Sequence, residues 1–213
     1  MTETHFILVR HGETVWNLEG RRQGQSDSPL TARGLAQARA IAACLAAEPA
    51  DALYSSDLLR AWRTALEIAA MCGLQPIPDE RLREKSFGIL EGLKYDEVET
   101  RHREVAALLA EKRPDYAPPG GESLVTAQQR GIAALRELAR RHPGGRLIVV
   151  SHGALLGMFL RHVLDISLVA PRRFTLANGS LSRVTYRHED DAWHITSLGE
   201  IAHLLCAHSA QTL

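Results

Sequence analysis

The chain has few cysteines and no long apolar run. Only 3 of its 213 residues are cysteines, and Cys44, Cys72 and Cys206 are too widely spaced to form a Cys-x-x-Cys pair. This usage indicates neither a disulfide framework nor a thiolate metal site, and a reducing, cytoplasmic environment fits it best. No stretch approaches the roughly 20 apolar residues needed to span a bilayer. The N-terminal run from Phe6 to Val9 is too short for a signal peptide's apolar core.

The chain also has no excess of charge of either sign. Lys plus Arg number 25 and Asp plus Glu number 25, so no overall basic field favours a nucleic-acid or membrane partner. The ten histidines show no His-x-x-x-His or His-Glu-x-x-His spacing, so we expect no metal and no other cofactor. The length suits one well-buried domain spanning residues 1–213.

Two short apolar runs end in the same way. Phe6 to Val9 is followed by Arg10-His11-Gly12, and Leu147 to Val150 is followed by Ser151-His152-Gly153. Both runs are typical of buried strands. The carboxyl ends of parallel strands meet at one sheet edge, where open α/β sheets bind ligands, so we expect both imidazoles to face one pocket.

Helical patterns lie between and after these strands. Thr31 is a plausible N-cap for a helix running to about Ala47, and Ser56 or Asp57 for a second helix ending at Gly73. Arg60 and Arg63 lie in the first two turns of the second helix, and one of them is expected at the pocket. The pattern is helical from Tyr95 to about Leu109, from Glu122 to His142 and from Ala154 to Leu164, and residues 181–187 and 192–198 predict an edge hairpin.

These motifs together resemble the histidine phosphatase superfamily, also called the phosphoglycerate mutase-like superfamily. The similarity runs from residue 6 to about residue 160. It rests on Arg10-His11-Gly12-Glu13-Thr14, Asn17, Gln23-Gly24, Asp27-Ser28-Pro29-Leu30-Thr31, Tyr54 to Ala61 with Arg60, and a Glu-x-x-x-Gly-x-x-Glu-Gly pattern from Glu84 to Gly92. The resemblance implies an α/β three-layer sandwich with a mostly parallel central sheet, an antiparallel edge strand and helices on both faces. It also implies a lid-like insertion at about residues 85–121.

The resemblance implies a role for each matching residue. His11 would be the nucleophile that forms a phosphohistidine, and His152 would stabilise charge on the phosphoryl group as a cation or a hydrogen-bond donor. Glu84 would donate a proton to the leaving oxygen and later accept one from water. Arg10 and Arg60 offer planar, permanently charged donors for phosphate. The remaining substrate-binding candidates are Asn17, Gln23, Gly24 and Gly153.

Within this family the pattern favours a phosphatase over a mutase. Cofactor-dependent phosphoglycerate mutases carry a longer insertion with an arginine pair, and no such pair stands in the short segment between Gly92 and Gly121. This chain also has Phe87 and Tyr95 where those mutases have tyrosine and lysine. The segments around Gln23 and Pro119 to Ser123 resemble the broad-specificity phosphatase branch.

We therefore expect a phosphomonoester hydrolase that acts on small phosphorylated metabolites. A cofactor-dependent phosphoglycerate mutase is the first alternative, and a non-catalytic phospholigand-binding protein is the second. A homodimer remains open, because Leu-rich and Ala-rich helix faces are compatible with one.

Overall fold

The computed structural model of the chain describes residues 2–171 and 173–209. Within these residues the structure has six strands and eight α-helices. The strands are β1 (Glu3–Arg10), β2 (Ala52–Ser55), β3 (Pro76–Pro78), β4 (Arg146–Ser151), β5 (Leu181–Arg187) and β6 (Ala192–Glu200). The helices are α1 (Val15–Leu18), α2 (Ala32–Leu45), α3 (Leu59–Cys72), α4 (Tyr95–Arg101), α5 (Arg103–Ala110), α6 (Leu124–Arg141), α7 (Gly153–Val163) and α8 (Ala202–Ser209).

All six strands form one sheet in the order β3-β2-β4-β1-β5-β6. The first four positions pair in parallel, whereas β5 and β6 are antiparallel, which confirms the predicted mostly parallel sheet with an antiparallel hairpin at its edge. Ile7 pairs with Ile148 and Arg10 with Ser151, so β1 and β4 end level with each other. His11 and His152 therefore leave the sheet side by side, as the sequence predicts.

The alternation of β1 distributes its side chains between two apolar layers. Phe6 and Leu8 pack in one layer with residues of α6 and α7, including Leu138. Ile7 and Val9 pack in the other with residues of α2 and α3. Because successive strand residues point to opposite faces, one buried strand serves both layers. The predicted three-layer arrangement is thereby confirmed.

The start of α3 differs from the prediction. Leu58, rather than Ser56 or Asp57, is the N-cap residue, and its side chain makes no capping hydrogen bond. Both expected caps are engaged elsewhere: the Ser56 hydroxyl lies 2.8 Å from Nε2 of His152, and Asp57 accepts hydrogen bonds from Arg83, one at 2.7 Å. Gly73 ends the helix with φ +67°, as predicted.

The segment at 85–121 contains α4, α5 and a short 3-10 helix at Gly88–Leu90. The helical pattern predicted from Tyr95 to Leu109 is broken at His102, whose ψ of 57° is not helical. Leu90, Leu93 and Val98 form a small apolar cluster of the segment's own. Its ends are tied together, because Ile89 N donates to Pro119 O at 3.1 Å.

Helix α8 was not predicted. The sequence predicts no structure beyond Leu198. The side chains of Cys206 and His208 lie outside what the structure describes. Among the described residues, none of the helices is both long and apolar enough to cross a bilayer.

Candidate active site

Two imidazoles meet at the carboxyl edge of the sheet. The ring centroids of His11 and His152 lie 5.1 Å apart, with 58° between the ring planes. Both rings are buried. A separation of this size allows both side chains to touch one small anion, so the structure brings the two histidines together.

The hydrogen bonds of His11 fix its tautomer. Its Nδ1 lies 2.7 Å from the carbonyl oxygen of Gly12. A carbonyl oxygen can only accept, so Nδ1 carries the hydrogen and Nε2 keeps an unshared electron pair. The contact with the main chain therefore leaves Nε2 as the ring nitrogen that could act as a nucleophile.

His152 has one ring nitrogen engaged and one available. Its Nε2 lies 2.8 Å from the Ser56 hydroxyl, whereas Nδ1 is buried and has no hydrogen-bond partner among the described residues. A buried polar atom without a partner is costly unless a ligand supplies one. Nδ1 is therefore the atom of His152 that can bind an anion at this site.

Arg60 is almost completely buried, with 1% of its surface exposed. Its Nη2 donates to Gly24 O at 2.6 Å, and its Nη1 donates to Ser26 O at 2.9 Å and to Asp27 Oδ1 at 3.1 Å. Nε has no partner among the residues that the structure describes. Arg63 is exposed on the same helix, so of the two arginines it is Arg60 that lies at the site.

Arg10 is the last residue of β1, and its side chain reaches the start of α7. Its Nη1 donates to the carbonyl oxygen of Leu176. A Cβ placed on Gly153 would come within 3.0 Å of Arg10 Nε, so the guanidinium packs directly against the first residue of α7. Gly153 permits this contact because it has no side chain.

Glu84 sits at the N-terminus of α7 and is buried. Its Oε1 accepts from Leu155 N at 2.8 Å and from Lys85 N at 2.9 Å, and its Oε2 accepts from Ala154 N at 2.9 Å. Helix N-termini favour carboxylates in this way. Each carboxylate oxygen offers about two acceptor positions, so Oε2 retains one at which a proton could bind.

Of the other predicted binding residues, Asn17 lies in α1, and Gln23 and Gly24 lie in the loop that follows it. The Oδ1 atom of Asn17 accepts from Thr14 N at 3.2 Å and from Asn178 Nδ2 at 3.0 Å, which leaves its Nδ2 to donate elsewhere. Gln23 is buried, and its Oε1 has no partner among the described residues. Gly24 adopts φ +58° and lends its carbonyl oxygen to Arg60.

Four residues that support the site were not predicted from the sequence to lie there. Ser56 holds His152, and Asp27 holds Arg60. Asn178 donates to His11 O at 3.2 Å as well as to Asn17. Glu91 accepts from Gln25 N, Ser26 N and Phe87 N, which joins the loop to the segment at 85–121. Asp27, Ser56 and Glu91 stand within the quoted motifs, but no motif or periodicity marks Asn178.

Burial and positive charge control the protonation of both imidazoles. Burial, followed by the charges of Arg60 and Arg10, holds the pKa of His11 well below its usual value. Burial, then electrostatic interactions with Arg60, with the His11 ring and with Arg10, does the same to the pKa of His152. Both rings are therefore neutral at physiological pH in the free protein. This keeps the electron pair on Nε2 of His11 available.

Among the described residues, no group of three or more His, Cys, Asp and Glu side chains could hold a metal ion. The positive charge at the site comes from Arg10 and Arg60. Together with the sheet order, these side chains define an α/β protein with a paired-histidine anion site at the carboxyl edge of its sheet.

Comparison with known proteins identifies the family. The model of the histidine phosphatase superfamily (branch 1) matches residues 6–200. The chain is 40% identical over 200 residues to the probable phosphoglycerate mutase GpmB of Proteus mirabilis, which covers 92% of this chain and 93% of that protein. The chain belongs to the histidine phosphatase superfamily and is an enzyme of that superfamily, as the sequence motifs predict.

Solved structures share its fold. Bacillus stearothermophilus YhfR is 31% identical with a TM-score of 0.86, over 94% of this chain and 99% of that chain. A mycobacterial glucosyl-3-phosphoglycerate phosphatase is 28% identical with a TM-score of 0.82, over 93% of this chain and 100% of that chain.

Proposed function

We propose that the protein is a broad-specificity phosphomonoester hydrolase that works through a phosphohistidine on His11. The observation that carries the proposal is the pairing of a neutral, correctly oriented His11 Nε2 with a second imidazole at a 5.1 Å ring separation. The positive charges of Arg60 and Arg10 act on both rings. Arginines of this kind suit a doubly charged phosphate.

The first chemical step transfers the phosphoryl group to the enzyme. Nε2 of His11 attacks phosphorus, and the bond between phosphorus and the ester oxygen breaks. Glu84 supplies the proton that the leaving alcohol needs. Nδ1 of His152 belongs to a neutral ring and has no partner among the described residues, so it acts as a hydrogen-bond donor to the phosphoryl oxygens, which favours the donor role over the cation role for this residue.

The second step returns the enzyme to its starting state. Water attacks phosphorus, its proton passes to Glu84, and the bond between phosphorus and His11 breaks to release inorganic phosphate. Asn17, Gln23, Gly24 and Gly153 lie where donors from the loop and from the start of α7 can hold the phosphate. The positive charge of the site replaces the metal that many phosphoryl-transfer enzymes use, so we expect activity in the presence of a chelator.

Phosphate release and isomerisation distinguish the hydrolase from a mutase. The relative named glucosyl-3-phosphoglycerate phosphatase supports the hydrolase activity. The relative named probable phosphoglycerate mutase supports the mutase activity. We expect inorganic phosphate from 3-phosphoglycerate and from aryl phosphates, without stimulation by 2,3-bisphosphoglycerate. Isomerisation to 2-phosphoglycerate that requires the bisphosphate would assign the mutase, and phosphate binding with no turnover would assign a binding protein.

A trapped intermediate tests the nucleophile. Rapid quenching with a ³²P-labelled substrate should give a label on the enzyme that is stable to base and lost in acid, and His11→Ala should abolish it. Persistence of any covalent label in that variant would place the nucleophile elsewhere.

The proposal also includes the organisation of the protein in the cell. Residues 1–213 act as one domain, and the segment at about 85–121 serves as its lid. Cys44 and Cys72 are free thiols, which suits the cytoplasm. We propose a small phosphorylated substrate as the binding partner, with neither nucleic acid nor membrane, and sedimentation equilibrium decides between a monomer and a homodimer.

A further inference from the structure

A cavity of about 280 Å³ lies between the lid segment and the start of α6. We call it the lid cavity. Four cationic residues line it, namely Arg22, Lys85, Lys112 and Arg113, and none of its lining residues is acidic. The rest of its wall is largely apolar and includes Phe87 and Leu109. A space lined by several cations and no acid favours an anionic occupant.

Lys85 is the most deeply placed of these cations, with 5% of its surface exposed. Its Nζ lies 3.3 Å from the carbonyl oxygen of Ser86 and 4.7 Å from the ring centroid of Phe87. Among the described residues it forms no ion pair, although the negative charges of Glu122 and Glu84 act on it from farther away. Burying an ammonium group without a carboxylate is costly, and a ligand anion would remove that cost.

Arg22 presents a second cation that has no ion-pair partner in the described part of the chain. Its Cζ lies 4.1 Å from the ring centroid of Tyr95 and 5.6 Å from that of Phe87, and its buried Nε has no hydrogen-bond partner there. The two rings fix the plane of the guanidinium. Lys112 is exposed at the rim, where Arg113 pairs with Asp115 at 3.1 Å.

The apolar wall and the volume set the size of the occupant. A cavity of roughly 150 Å³ lined by apolar side chains accommodates benzene. The lid cavity is nearly twice as large and therefore has room for a body of one or two rings. A three-carbon acid would leave most of the apolar wall uncovered, and that wall contributes binding energy only when it is covered.

The lid cavity adjoins the proposed catalytic groups. Lys85 follows Glu84, and its backbone N–H donates to Glu84 Oε1 at 2.9 Å. Leu124 and Leu168 line both the lid cavity and a neighbouring groove that reaches Gly153 at the start of α7. A leaving group that receives its proton from Glu84 would extend in this direction.

From these contacts we infer that the lid cavity binds the alcohol part of the substrate, and that this part is an apolar or aromatic group carrying a second negative charge. The inference rests on the proposed function in that it takes the phosphate to lie between His11 and His152. Lys85 and Arg22 bind the second anion, and Phe87 and its apolar neighbours cover the ring.

Binding of two phosphonates that cannot be hydrolysed tests this inference. The probes are 6-(phosphonomethyl)-2-naphthoate and its 2-carboxamide, which differ only in the second charge. We expect calorimetry to give a Kd for the carboxylate that is about tenfold to hundredfold lower, the range of a hydrogen bond to a charged group. Equal values of Kd, or no binding of either probe, would overturn the inference.

Variants assign the preference to named residues. Lys85→Gln and Arg22→Gln should each reduce the ratio of the two Kd values at least fivefold, whereas Arg63→Gln, at an exposed arginine outside the cavity, should leave it unchanged. The ratio does not depend on the fraction of protein that is folded, because both probes share that loss. A ratio unaffected in both cavity variants would also overturn the inference.

The corresponding phosphate esters test the proposed hydrolase activity separately from the proposed role of the lid cavity. Preferential binding of the charged phosphonate with no phosphate release from either ester would contradict the proposed hydrolase and leave the lid cavity as an anion site. Hydrolysis of both esters at equal kcat/KM, with equal phosphonate Kd values, would support the hydrolase and overturn the inference about its substrate.

Discussion

Gly153 and Arg10 are in direct contact: a Cβ on Gly153 would lie 3.0 Å from Nε and 3.1 Å from Cζ of the guanidinium. Gly153 opens α7, and Arg10 ends β1. The bare backbone at this position therefore decides where one of the two positive charges of the site lies.

Gly153→Ala should displace Arg10 and weaken phosphate binding. We expect the KM for an aryl phosphate to rise about tenfold, equivalent to about 1.4 kcal/mol. The free energy of unfolding should not fall by a comparable amount, because alanine is a better helix former than glycine by up to about 1 kcal/mol. Steady-state kinetics and thermal unfolding measure the two effects.

Gly73→Ala is the matched control for that substitution. Gly73 has φ +67°, and a Cβ there meets no atom within 4 Å. The left-handed backbone should cost about 1–2 kcal/mol of stability, while the KM stays unchanged. An unaltered KM in Gly153→Ala would show that Arg10 does not depend on this contact.

Gly24→Ala should disturb the loop that holds Arg60. Gly24 has φ +58°, and a Cβ would lie 2.1 Å from Oε1 of Glu91, the carboxylate that binds this loop. Gly20 has φ +69° with open space around it, so Gly20→Ala carries only the backbone cost of about 1–2 kcal/mol. Compared with Gly20→Ala, we expect Gly24→Ala to lose at least about 1 kcal/mol more of its free energy of unfolding and to have a higher KM. Equal losses of stability in the two variants would contradict this account.

The sequence predicted the position of the two histidines because a single physical rule decides it. Apolar runs that end in His-Gly can be read as buried strands, and parallel pairing places their ends together. The match of β1 with β4, Arg10 opposite Ser151, follows from that rule. Predicting that Arg60 lies at the site required the family resemblance, because periodicity alone did not distinguish it from Arg63.

Contacts between residues far apart in the chain could not be predicted in this way. Ser56 was expected to cap α3, but its hydroxyl bonds to His152, 96 residues away. The side chain of Asn178 reaches Asn17, 161 residues away. Such bonds depend on tertiary packing, which local propensity and periodicity do not encode.

Ser56→Ala should lower kcat through the orientation of His152. Within the described part of the chain, the variant leaves the buried imidazole without a partner on either nitrogen, and the loss of one such hydrogen bond corresponds to roughly a tenfold decrease in rate. Ser55→Ala is the matched control, because Ser55 is equally buried and its hydroxyl donates to Ser56 O at 2.8 Å. A similar fall in kcat in both variants would indicate a general loss of packing instead.

Glu84→Gln should separate leaving groups by their need for a proton. We expect turnover of alkyl phosphates to fall about a hundredfold to ten-thousandfold, with a much smaller effect on p-nitrophenyl phosphate, whose leaving group needs no acid. The amide nitrogen of glutamine cannot accept a backbone N–H, so about 1–3 kcal/mol of stability should also be lost. Equal losses on both substrates would remove Glu84 from the acid role.

The two buried imidazoles also make folding depend on pH. In the folded protein the pKa of His11 and that of His152 are both well below the ordinary value of 6.5. Above pH 6.5 both rings are neutral in the folded and unfolded states and contribute no pH dependence. Below it the unfolded chain binds protons that the folded chain does not, so stability falls as the pH falls.

The free energy of unfolding should therefore decrease between pH 6.5 and the lowered pKa values by up to about 1.4 kcal/mol per pH unit for each histidine. Urea unfolding at pH 7.5, 6.5 and 5.5, without phosphate, measures the slope. His11→Gln removes one ionisable ring and should reduce the slope by the contribution of one proton. An identical slope in the native protein and in His11→Gln would show that His11 takes up its proton as readily when folded as when unfolded, and the neutral nucleophile proposed for this site would then lose its physical basis.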